Sequence, residues 1–64
     1  MRPEELTEIE EDLEEAAYRV RVCLSKMALS QVNDGAIPER YRTEYVRLLA
    51  NLHKVVARAD AVLS

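Results

Sequence analysis

Gly35 is the only glycine in this 64-residue chain, and Asn33-Asp34-Gly35 separates two long amphipathic runs. That arrangement leaves few folds open. Glycine and asparagine can take the left-handed backbone conformation that ends a helix, so the segment reads as a stop between two helices. Before it, Leu6, Ile9, Leu13, Ala16, Val20, Cys23 and Met27 recur at alternating spacings of three and four. After it, Tyr41, Tyr45, Leu48, Leu52, Val55, Ala59 and Val62 do the same. Such spacing marks the buried stripe of an amphipathic helix. Pro38 cannot continue the first helix but suits the first turn of a second, and Glu39 follows where a carboxylate favours the helix dipole. The first helix can begin at Arg2-Pro3-Glu4-Glu5 or at a Thr7/Glu10 capping box, anywhere from residue 3 to 8. The sequence thus predicts an all-α fold, a two-helix antiparallel hairpin of coiled-coil type. Residues 1–64 form one domain, with helices over about 4–32 and 38–63 and a turn at 33–37.

A chain this short is hard to stabilise by itself, because only about 60% of its unfolded surface is buried on folding. Cys23 is the sole cysteine, so no internal disulfide can help, and a lone thiol suits a reducing compartment. The opening residues are acidic and lack the apolar core of a signal peptide, and no apolar run approaches a membrane span. The expectation is a cytoplasmic protein without a membrane span.

The apolar residues outnumber what a two-helix seam requires. Leu49, Val56 and Leu63 repeat every seven residues beside the seam of the second helix, and Ala17 and Leu24 do so in the first. A stripe this wide is expected of a helix packed against two neighbours. Tyr18, Val22 and Leu29 fall on nearly the opposite side of the first helix. Fully burying one such side chain is worth about 1.5–3 kcal/mol, a large share of a small domain's stability. Ala17, Leu24, Leu49, Val56 and Leu63, with Tyr18, Val22 and Leu29 as a second group, are therefore the candidate partner-binding residues.

Chemistry of other kinds is hard to find. His53, the only histidine, falls level with residues 17–18 of the opposite helix rather than with Cys23. The offset of about 7–8 Å is too great for a shared zinc ion. The carboxylates of residues 4–15 have no calcium-loop spacing, and no phosphate loop or nucleophile motif occurs. No cofactor, metal or catalytic residue is expected, and an enzyme is not the reading. Net charge is -3, which disfavours nucleic acid as a ligand. The charge is unevenly placed: residues 1–15 hold eight acids and only Arg2, whereas the remainder holds eight Lys and Arg against four acids.

Gly35-Ala36-Ile37-Pro38-Glu39-Arg40-Tyr41, followed by a long amphipathic helix, resembles the small co-chaperones of type III secretion needle subunits. Arg42 stands where that family usually has glutamine. The resemblance implies a helical hairpin that binds and stabilises a larger chaperone of tetratricopeptide-like helical repeats. The pair would keep the secreted needle subunit soluble and monomeric in the bacterial cytoplasm. A hairpin with a wide apolar face could extend such a stack of helical pairs, whose ends need a polar cap. Two other readings fit the residues alone: a self-associating four-helix bundle with a structural or regulatory role, and an antitoxin-like inhibitor.

Overall fold

The computed structural model describes residues 2–64, and within them the chain is two α-helices and one short connection. Helix α1 spans Pro3–Asp34 and helix α2 spans Glu39–Leu63. They lie side by side and antiparallel, in a rod with Cα extents of 49 × 14 × 13 Å. Among the described residues no helix is long and apolar enough to cross a membrane.

The ends of the helices follow from their residues. Pro3 occupies the first position of α1, where its missing N–H costs nothing, and Glu4 and Glu5 lie in the positive first turn. Thr7 does not cap a later start. Its hydroxyl instead donates to the Pro3 carbonyl at 3.1 Å, one turn back inside the helix. At the other end Gly35 takes φ +71°, and its N–H donates to the Gln31 carbonyl at 3.0 Å. The expected turn at 33–37 therefore moves to 35–38. Asn33 and Asp34 stay helical, because Gly35 alone makes the left-handed step. Pro38 sits just before α2 rather than within it, and its carbonyl accepts from the Tyr41 N–H at 3.0 Å.

The seam is thin. Ile9, Ala16, Val20, Cys23 and Val55 are buried, while Met27, Tyr41, Tyr45, Leu48, Leu52, Ala59 and Val62 are half-buried. Ile9 with Val62, Ala16 with Val55, Val20 with Leu52 and Cys23 with Leu48 border common grooves, which fixes the register. Two expected members of the seam depart from it: Leu6 is 42% exposed and Leu13 36%. For Leu13 the cause is the mismatch between a seven-residue repeat and 3.6 residues per turn, about 20° per repeat in a straight helix, and Leu6 in addition lies level with a point beyond the end of α2. Leu6, Leu13, Val20 and Met27 form one such row, and its early members rotate out of the seam.

Candidate protein-binding surface

The register divides the hairpin into two unlike long sides. One residue further along a helix is a rotation of about 100°. From the seam residues Ala16, Cys23, Leu48, Val55 and Val62, that step reaches Ala17, Leu24, Leu49, Val56 and Leu63. One step back reaches Glu15, Val22, Arg47, Lys54 and Ala61. Antiparallel neighbours are related by a two-fold axis across the pair, so equal rotations on both helices emerge on the same side. The forward steps thus build one apolar side and the backward steps one largely charged side.

On the charged side, Asp12, Glu15, Arg19, Asn51, Lys54 and Arg58 border a groove between the helices. Arg58 donates to Asp12 across that groove, and Arg19 donates to Glu15 along α1 at 2.7 Å. All four side chains are about half exposed or more, so each pair contributes little to stability, about 0–1 kcal/mol. The Asp12–Arg58 pair is the one of the two that joins the helices.

The apolar side has no such cover. A shallow groove there is lined by Ala17, Val20, Leu24, Ala28 and Leu52, with Arg21 at its edge. Leu24 is 46% exposed, Val56 42% and Leu63 63%. Ala17 is exposed and Leu49 is half-buried. Leu6 and Leu13, displaced from the seam, extend this side toward the open end of the hairpin. Sequence reasoning placed them inside, and the drift of their heptad row was the signal that could have assigned them correctly.

The second candidate group is spread over the outer surface and the charged side of α1. Tyr18 and Leu29 are 62% and 61% exposed on the outer surface of α1. Val22 is half-buried and shares a groove with Tyr18, Lys26, Glu44 and Leu48 on the charged side. Leu29 is an exposed apolar side chain of a kind common on any surface.

Cys23 is 1% exposed. Its thiol donates to the Tyr41 carbonyl at 3.6 Å, and the Arg40 guanidinium sits 5.0 Å from the centre of the Tyr41 ring. A side-chain hydrogen bond to Tyr41, with the charge interaction between the two groups, raises the Arg40 pKa above its ordinary value. Gly35, Pro38 and Tyr41, three residues of the string that carries the family resemblance, therefore each have a role in closing the turn. His53 is exposed, and among the described residues no group of three or more His, Cys, Asp or Glu side chains could hold a metal ion. No protein-family model matches the chain, and no curated protein or solved structure is significantly similar to it.

Proposed function

We propose that this hairpin acts by binding another helical protein through its apolar side, as a small co-chaperone that stabilises a larger chaperone of helical repeats. The observation that carries the reading is the uncovered row of Leu6, Leu13, Ala17 and Leu24 on α1 beside Leu49, Val56 and Leu63 on α2. The total accessible surface is 5050 Å² for a mass of 7.3 kDa. A compact monomer of that mass exposes about 4,200 Å². The surplus, about 850 Å², reflects a rod whose long sides are left uncovered. Helical repeats bury their faces against successive helical pairs, and a hairpin with one apolar and one charged side suits the end of such a stack.

The finer assignment, to type III secretion and a needle subunit as indirect cargo in the bacterial cytoplasm, rests on the resemblance of residues 35–41. It is tested by co-expressing the chain with a tetratricopeptide-like needle chaperone. A one-to-one complex is expected, and it should be lost in Leu49→Asp/Val56→Asp while circular dichroism still reports helix. Failure of the unaltered chain to bind such a chaperone would remove the finer assignment. Undiminished binding by the double variant would remove the apolar side as the contact surface.

A further inference from the structure

The fold turns the uneven charge of the sequence into an axial one. The half of the rod away from the turn, residues 2–15 and 55–64, carries nine carboxylates against Arg2 and Arg58. The half nearer the turn, residues 16–54, carries seven Lys and Arg against Asp34, Glu39 and Glu44. The polarity reaches the border of the apolar side itself. Heptad spacing puts Glu10 in the row of Ala17 and Leu24, and Arg42 in the row of Leu49, Val56 and Leu63. Glu14 and Arg21 share the next row outward on α1. All four charged residues are exposed, and among the described residues neither Glu14 nor Arg21 has an ion-pair partner.

We infer that in the absence of its partner the apolar side is covered by a second copy of this chain, lying antiparallel to the first in a symmetric four-helix bundle. The inference rests on the apolar side being the binding surface and adds what occupies it when the chain is free. Two arrangements bring these sides together with two-fold symmetry. In the parallel one, open end meets open end and the two acidic halves repel. In the antiparallel one, each acidic half meets a basic half, and charge selects it.

With the axis crossing the rod at the midpoint of α1, between residues 18 and 19, α1 lies on α1 of the second copy. Leu13 is then level with Leu24 of the second copy, twice by symmetry, and on α2 Leu49 is level with Val56. Glu14 and Arg21 of the second copy come within two residues of one level, about 3 Å along the rod, a gap their long side chains span to give two equivalent ion pairs at the border. A helical-repeat partner and the second copy compete for one surface, so partner binding requires the dimer to separate.

Sedimentation equilibrium of the free chain at low salt tests this, with circular dichroism verifying that each variant is helical. The expected mass is twice 7.3 kDa. Glu14→Arg and Arg21→Glu should each raise the dissociation constant by at least about tenfold, and the double reversal should restore it to near its original value. Seven residues apart on one helix, about 10 Å, the two cannot rescue each other within a chain. A monomer at ~100 μM overturns the inference, yet leaves the proposed function standing if the chaperone complex still forms. A dimer whose double reversal is as weak as the single changes overturns the antiparallel arrangement. A dimer that survives Leu49→Asp/Val56→Asp overturns the apolar side as its interface.

Discussion

Gly35 shows how much one residue decides here. A Cβ added at Gly35 would meet nothing within 4 Å, so space is no obstacle. Its φ of +71° is, because an L side chain in that conformation crowds its own backbone at about 1–2 kcal/mol. Gly35→Ala should therefore destabilise the hairpin by about 1 kcal/mol in urea unfolding, and Gly35→Asn by less, since asparagine tolerates the left-handed region better. Equal losses for the two would mean that backbone conformation is not what glycine supplies there. The sequence made this residue legible because the chain has no other glycine. It could not show that Asn33 and Asp34 would remain helical: each is acceptable in a helix end or a turn, and only the conformation of the next residue decides.

Among the elements, α1 and α2 were readable from spacing alone, and the side of the candidate surface on α2 was readable from the heptad Leu49, Val56 and Leu63. The corresponding side of α1 was only half readable. A spacing of three and four identifies the residues that are near the seam, but not the slow rotation that carries Leu6 and Leu13 out of it and leaves Val55 buried. The distinction is measurable at a dilution where association is absent. Val55→Ala removes packed methyl groups and should cost about 2 kcal/mol, whereas Leu6→Ala should cost under about 1 kcal/mol. Similar losses would return Leu6 to the seam.

As a whole molecule the hairpin is a rod whose interhelical contacts nest around a single turn. The Cys23–Tyr41 hydrogen bond joins residues 18 apart in sequence, while the Asp12–Arg58 pair joins residues 46 apart. Loop closure costs more conformational entropy with each increase in separation, and here every distal contact is helped by the one formed before it. The chain should therefore close progressively, like a zip whose slider starts at Gly35. Opening should proceed in the reverse order, because the register leaves the first turn of α1 beyond the end of α2. Amide hydrogen exchange is expected to show protection falling steadily from residues 20–30 toward residues 3–10, and uniform protection along α1 would contradict it. The open end is also where the carboxylates gather, so the part of the rod that unzips first is the part most repelled by itself. A cation-rich neighbour laid along that end would thus act as a clasp, holding shut a fastening that the chain alone leaves partly undone.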